Sequence, residues 1–389
     1  MASQGFLPSR AGQGRLSGVV VGLFSELDAP GGIQRAGRHI AAVLAEFARG
    51  RNLEYRLLSL NDSGELHRMT VAGREFVFTG CEHGKLRMGA TAMRAAWRGA
   101  RVVVAAHPHL APVTRAMRLG RPRLRTVVCT HGIEVWQPLS AFRRRALQYA
   151  DVVLAPSRNT AEHVASQQQV PRERIRLLPW ALDPQFETRA VAAAAKVSLP
   201  GTYPSGHVIL AVGRWIASER YKGMDHLIAA LPRLLHDWPD LELVFAGEGD
   251  DRGWLEHLAA EQGVARHVHF LSGLTQAELS ACYAACEIFA LPSRGEGFGM
   301  VYLEAMSHGK PVIAGAHGGT PEVVEDGVTG YLVPHGDAAQ LTTALRALLS
   351  EPEHAREMGA RGRKRVERDF RFEGFAKALK RILREQCES

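Results

Sequence analysis

One feature restricts this 389-residue chain more than any other: strand-length apolar runs alternate with helix-length amphipathic stretches almost from end to end. Residues 18–24 read as a first strand. A loop at 27–32 holds Pro30, Gly31 and Gly32, and a helix follows with Ile33, Ile40, Leu44 and Phe47 at helical spacing. Further strands are predicted at 56–59, 102–106, 126–130, 152–155 and 175–178, with helices at 89–98, 141–150 and 160–168. Such a βαβ rhythm calls for a parallel sheet covered on both faces. Segment 183–206 breaks it with an Ala-rich tract and a Pro/Gly cluster. The rhythm then restarts, with strands at 208–212, 241–246, 268–271, 288–291 and 311–314 and helices at 224–236, 253–262, 276–285, 299–308 and 338–349. Two last helices fall at 354–368 and 373–386. The expected fold is α/β, with two tandem doubly wound Rossmann-like domains facing across a cleft. The domains span 17–182 and 207–368, joined by a linker at 183–206, and a terminal helix in 369–389 is expected to pack back on the first domain. In such sheets ligands bind beyond the carboxyl ends of the strands.

Charge divides the chain the same way. The net charge is +8, yet residues 1–180 carry 26 Lys and Arg against 12 Asp and Glu, net +14, and residues 181–389 carry 22 against 28, net −6. A basic first half suits an anionic partner, and an acidic second half implies a different task. The composition is that of an ordinary globular protein, which excludes wholesale disorder. No apolar run approaches the ~20 residues of a membrane span, and the first 17 residues lack a signal-peptide core. Five scattered cysteines, Cys81, Cys129, Cys282, Cys286 and Cys387, without CxxC spacing, fit reduced thiols and a cytoplasmic location. Cys282 and Cys286 read as core residues. No His/Cys set has zinc spacing.

The densest chemical signal is RGEGFGMVYLEAMSHGKPVIA, residues 294–314. A strand ends, Gly295, Gly297 and Gly299 punctuate a loop, and a helix begins. A helix amino end presents unpaired N–H groups, and glycines let a ligand approach that backbone, which makes a phosphate cradle. Carboxylates serve a phosphate poorly but suit hydroxyls, so Glu296 in the loop and Glu304 in the helix point to two polyols such as a sugar and a ribose. Arg214 directly follows a predicted strand and Lys222 precedes a helix; together they can grip a diphosphate. No DxD triplet is present, so no metal-bridged diphosphate is expected. The loop at Gly31 and Gly32 is not GxGxxG. The acidic residue nearest the second strand, Glu54, precedes that strand, which disfavours a dinucleotide site. His131 ends a buried strand, with Glu134 three residues on; His107 and His109 end another. Arg94, Arg98, Arg115, Arg118, Arg121, Arg123, Arg125 and Arg143–Arg145 make the first half basic among apolar neighbours. That pattern suits an anionic membrane or a phosphorylated lipid acceptor, and no nucleic-acid signature accompanies it.

The chain resembles the family 4 glycosyltransferases of GT-B architecture. Two glutamates separated by seven residues, Glu296 and Glu304, stand within the GFG, LEAM, GKPV, GG.PE.V and G.TG.LV pattern that ends at residues 327–333. The resemblance implies a retaining hexosyl transfer from a nucleoside-diphosphate sugar to a hydroxyl acceptor, with front-face attack assisted by the leaving phosphate. The expected acceptor is a glycan or lipid-linked oligosaccharide of surface or exported polysaccharide synthesis, and neither metal nor resident cofactor is expected. It implies that Glu304 holds the ribose and Glu296 the hexose, and that Arg214 and Lys222 stabilise the departing diphosphate. His131 would stand beside the reacting carbon or the 6-hydroxyl. The backbone of Gly31, Gly32, Gly297, Phe298, Gly299, Met300 and Val301 would complete the donor site. Peripheral contact with the cytoplasmic membrane face is a further expectation. A nucleotide-sugar epimerase or another enzyme of this architecture, and a non-enzymatic binder of RNA or anionic lipid, stand as alternatives.

Overall fold

The structure, a computed structural model, describes residues 18–186 and 199–388. The central part of the predicted linker, residues 187–198, lies outside the described residues. The chain divides into two units. The first comprises the described residues up to Pro156, Thr160–Leu178 and the segment from Glu373 onward; the second comprises Ser157–Asn159 and the described part of Pro179–Phe372.

The first unit is built on an eight-stranded sheet of order β3-β4-β2-β1-β5-β6-β7-β8. These strands are β1 (Val19–Phe24), β2 (Glu54–Ser59), β3 (Leu66–Val71), β4 (Arg74–Gly80), β5 (Ala100–Ala105), β6 (Arg125–Cys129), β7 (Val152–Ala155) and β8 (Ile175–Leu177). All pair in parallel except β3 with β4. The helices are α1 (Gly32–Gly50), α2 (Lys85–Trp97), α3 (Ala111–Gly120), α4 (Ala141–Gln148) and α5 (Arg158–Ser166). In α1 the predicted face holds for Ile40, Leu44 and Phe47, which are buried, but Ile33 lies in the first turn and is 42% exposed. Burying each such side chain is worth roughly 1.5–3 kcal/mol.

The β3–β4 hairpin, helix α3, the short helix Thr320–Val323 and the strand Gly330–Val333 have no range among the sequence expectations. The β3–β4 hairpin alternates polar and apolar residues and turns through Ala72 and Gly73, both at positive φ (50° and 73°), as a two-residue hairpin requires. Helix α3 is short and opens on Pro112, and its basic residues hide its period. The strand Gly330–Val333 closes the second sheet.

The second unit holds a six-stranded, wholly parallel sheet, order β11-β10-β9-β12-β13-β14. Its strands are β9 (His207–Val212), β10 (Leu241–Ala246), β11 (Val268–Leu271), β12 (Ile288–Leu291), β13 (Val312–Gly315) and β14 (Gly330–Val333). Its helices are α6 (Met224–Leu234), α7 (Arg252–Glu261), α8 (Gln276–Ala285), α9 (Met300–Ser307), α10 (Thr320–Val323), α11 (Ala338–Ser350) and α12 (Pro352–Asp369). The central strands are buried on both faces, which is why they read as uninterrupted apolar runs. Cys282 and Cys286 are core residues here, and burial pushes both thiols up to about 12.

Helix α13 (Phe372–Glu388) returns the chain to the first unit. Phe375, Ala376, Leu379, Ile382 and Leu383 are buried, and the Phe375 ring lies 6.1 Å from that of His39 in α1. Lys380 pairs with Glu46 at 2.7 Å, and Arg74 bridges Glu46 and Glu373.

Candidate functional site

In the second unit, the loop after β12 and the loop after β9 meet at the carboxyl edge of the sheet. Gly299 caps α9 with a left-handed backbone (φ 97°), and a Cβ there would fall 2.4 Å from the Tyr302 ring. Tyr302 is fully buried and its hydroxyl donates to the Leu291 carbonyl at 2.8 Å, tying the helix back to the strand that launches it. The loop also packs backbone on backbone. The Gly319 amide donates to the Glu296 carbonyl at 2.8 Å, and a Cβ on Gly319 would lie 2.2 Å from the Gly297 carbonyl oxygen. Met300 and Val301 are half-buried at the helix end, where the first-turn N–H groups lack intrahelical acceptors. Phe298 turns its side chain to the interior of the second unit. It is buried with its ring edge-on to Phe370 at 5.8 Å, so it can offer a ligand only backbone.

The β9 loop brings the two predicted cations together with two carboxylates. Lys222 Nζ lies 3.4 Å from Glu296 and 3.7 Å from Glu219. Arg214, 69% exposed, pairs with Glu219. Burial acts to lower the Lys222 pKa, but Glu296, Tyr221 and Glu219 outweigh it and raise it, so the ammonium keeps its proton. Gly223 (φ 75°) lets this loop nest against Pro292, and the Arg294 amide donates to the Tyr221 carbonyl at 2.8 Å, so the two loops form one body. Glu219 was invisible to sequence reading because only the fold turns it inward between the cations. Glu304 is 1% exposed, and its Oε2 accepts from the Tyr283 hydroxyl at 2.9 Å.

The first unit gathers its own polar groups at the carboxyl edge of its sheet. The Gly31 backbone (φ 135°) caps α1, and a Cβ there would strike the Gln34 side chain. Asp62, just past β2, pins the approach to this loop by accepting from the Leu27 and Asp28 amides at 2.7 and 3.3 Å, while Arg38 donates to the Leu27 and Ala29 carbonyls. Asp62 is thus an acidic residue beyond the end of the second strand, nearer that end than Glu54, but its oxygens are committed to the fold. Glu54 itself opens β2 and pairs with Arg56.

His131 is buried with Nε2 donating to the Ala106 carbonyl at 2.6 Å, and its amide donates to the Glu134 carboxylate at 2.6 Å. The rings of His131, His107 and His109 follow one another at centroid distances of 5.6 and 4.2 Å, and Ser25 lies 3.2 Å from His109. Part of the basic stretch has structural work to do: Arg118 and Arg125 pair with Asp151, and Arg121 donates to the Ala100 carbonyl. Arg143 and Arg145 remain exposed on α4.

A glycine-lined helix start with paired cations, on the second of two Rossmann-like units, makes a site suited to a diphosphate. Glycosyl transferases group 1 match residues 201–365, and Glycosyltransferase Family 4 matches residues 31–186. The GDP-mannose-dependent alpha-(1-6)-phosphatidylinositol monomannoside mannosyltransferase of Mycolicibacterium smegmatis is 38% identical over 280 residues, covering 69% of this chain and 70% of its own. The protein so named in Mycobacterium tuberculosis is 34% identical, covering 74% and 75%. Among solved structures, sucrose-phosphate synthase from Thermosynechococcus elongatus superposes with a TM-score of 0.75 at 22% identity, covering 94% of this chain and 98% of its own, which speaks to the fold. The chain belongs to the family 4 glycosyltransferases. It is a retaining hexosyltransferase that uses a nucleotide sugar, and the epimerase and non-enzymatic alternatives are set aside.

Proposed function

We propose that this enzyme transfers mannose from GDP-mannose to a hydroxyl of a phosphatidylinositol-mannoside-like glycolipid. The observation that carries the reading is the cation pair Arg214 and Lys222 beside the glycine-loop start of α9. It supports a leaving diphosphate held without a metal ion, since fixed positive charge can stabilise the negative charge that develops on departure. The choice of guanosine and mannose, and of a glycolipid acceptor in place of a surface or exported polysaccharide precursor, is supported by the names of both mycobacterial relatives.

In this reading the backbone of Gly297–Val301 cradles phosphate. Glu304 holds the ribose and Glu296 turns from Lys222 to the mannose hydroxyls. His131 serves the transferred sugar, and the Gly31–Gly32 loop completes the donor site. The acceptor enters at the carboxyl edge of the first sheet, where the first turns of α2 and α4 present Leu86 (90% exposed) and Phe142 (67% exposed) beside Lys85 and Arg143. Apolar tips next to cations suit the surface of an anionic bilayer, which supports peripheral attachment at the cytoplasmic membrane face. Among the described residues no helix is long and apolar enough to cross a membrane.

The test is transfer of labelled sugar from GDP-mannose, UDP-glucose and UDP-N-acetylglucosamine to phosphatidylinositol monomannoside in detergent, with and without EDTA. Transfer from GDP-mannose alone, unchanged by EDTA and reduced at least ~100-fold in Lys222→Ala and Glu304→Ala, is expected. Activity of either variant within a few-fold of the parent sinks that residue's assignment.

A further inference from the structure

Glu304 is a carboxylate enclosed in the second unit, and an enclosed carboxylate needs a donor for each lone pair it turns inward. That donor comes from another helix. Tyr283 on α8 is fully buried and its hydroxyl lies 2.9 Å from Glu304 Oε2. The same helix reaches the Glu304 backbone by a second route. His308 Nδ1 lies 2.8 Å from the Glu304 carbonyl and its Nε2 lies 2.8 Å from Ser280 Oγ on α8. The His308 ring stacks on the Tyr283 ring at 5.4 Å and 24°. Ser307 Oγ adds a donor to the same carbonyl at 2.7 Å. Two residues one helical turn apart on α8 therefore fix Glu304, one at its carboxylate and one, through His308, at its main chain. A hydrogen bond of this kind restricts the rotamer of its acceptor, and so fixes where the second carboxylate oxygen lies.

We propose that Tyr283 is a positioning residue for ribose recognition: its hydroxyl holds the Glu304 carboxylate in place and aimed, so that discrimination for a ribonucleotide depends on a group that does not touch the nucleotide. The proposal rests on the assignment of Glu304 to the ribose.

Calorimetric titration of GDP and of 2′,3′-dideoxy-GDP into the wild type, Tyr283→Phe and Glu304→Gln separates the two ideas. Phenylalanine keeps the buried ring and removes only the hydroxyl. Tyr283→Phe is expected to weaken GDP at least about tenfold while leaving the dideoxy nucleotide within twofold of the wild type, so that the preference for the ribose form collapses. In the Glu304→Gln background the same change is expected to add nothing. A Tyr283→Phe enzyme that keeps the wild-type ribose preference, or that loses both nucleotides equally as packing damage would dictate, overturns the proposal. If Glu304→Gln also keeps the preference, the ribose assignment falls with it; if Glu304→Gln loses the preference and Tyr283→Phe does not, only the role of Tyr283 falls.

Discussion

At the carboxyl edge of the first sheet, His107 is enclosed enough that burial, followed by the charges of His131, His109 and Arg143, pushes its imidazole down to about 2. The sign of the consequence is fixed. Above pH 6.5 the ring is neutral folded and unfolded and costs nothing. Below it the unfolded chain takes up a proton that the folded chain refuses, so stability falls with pH from 6.5 toward 2, by at most about 1.4 kcal/mol per pH unit for this group. His107→Asn keeps an acceptor for the His109 amide that His107 caps. Melting curves between pH 7 and 4.5 should show the variant declining less steeply than the parent; parallel declines would remove His107 from the account. At this scale, residues with a local pattern were legible. Arg214, Lys222, Glu296 and Glu304 stand at fixed steps from strand ends and glycines, so their types and spacing single them out as candidates, and the fold gathers Arg214, Lys222 and Glu296 about Glu219. Tyr283, Glu219 and Asp62 were not legible, because each acts on a residue that only the fold brings near and nothing around it marks an inward turn.

Among elements, the parallel strands and amphipathic helices were read closely because they have a period; α8 and β12 lie where periodicity put them. The β3–β4 hairpin was missed because it is an edge element with one exposed side. The loop of Gly295, Gly297 and Gly299 reads from sequence as a phosphate cradle, but nothing in the sequence marks its packing against Gly319. That packing makes a prediction. Gly319→Ala drives a Cβ into the Gly297 carbonyl and displaces the loop bearing Glu296, so GDP affinity should fall at least ~10-fold by titration. Gly374→Ala, in α13 with open space around its Cβ, should leave GDP affinity alone and stabilise slightly, by roughly 0.5–1 kcal/mol. Equal effects at the two positions would mean that the loops are not coupled as described.

For the whole molecule, the +14 and −6 halves remain the broadest clue, sharpened by the finding that several of the first half's arginines serve its own fold. What is left for a partner is a rim of cations with exposed apolar tips. Co-sedimentation with vesicles of acidic phospholipid should capture the enzyme at low salt, and release it as ionic strength rises toward 0.5 M, where the Debye length is below ~8 Å. Zwitterionic vesicles should capture little. The double variant Leu86→Asp, Phe142→Asp should lose capture while keeping its melting temperature, since both side chains are exposed; undiminished capture would move the membrane face elsewhere on the molecule.

The return of α13 to the first unit also sets an order of events during synthesis. About 195 residues separate Leu178 from Glu373, which at ~5–20 residues per second is roughly 10–40 s of translation. Through that interval the surface of α1 that receives Phe375 and Lys380 has no helix on it, although most of the first unit has already left the ribosome. The second unit, contiguous over most of its length, can finish while the first still waits. The first unit is therefore the later of the two to be completed, and a chain cut short at Phe372 would hold the second unit whole and the first without α13.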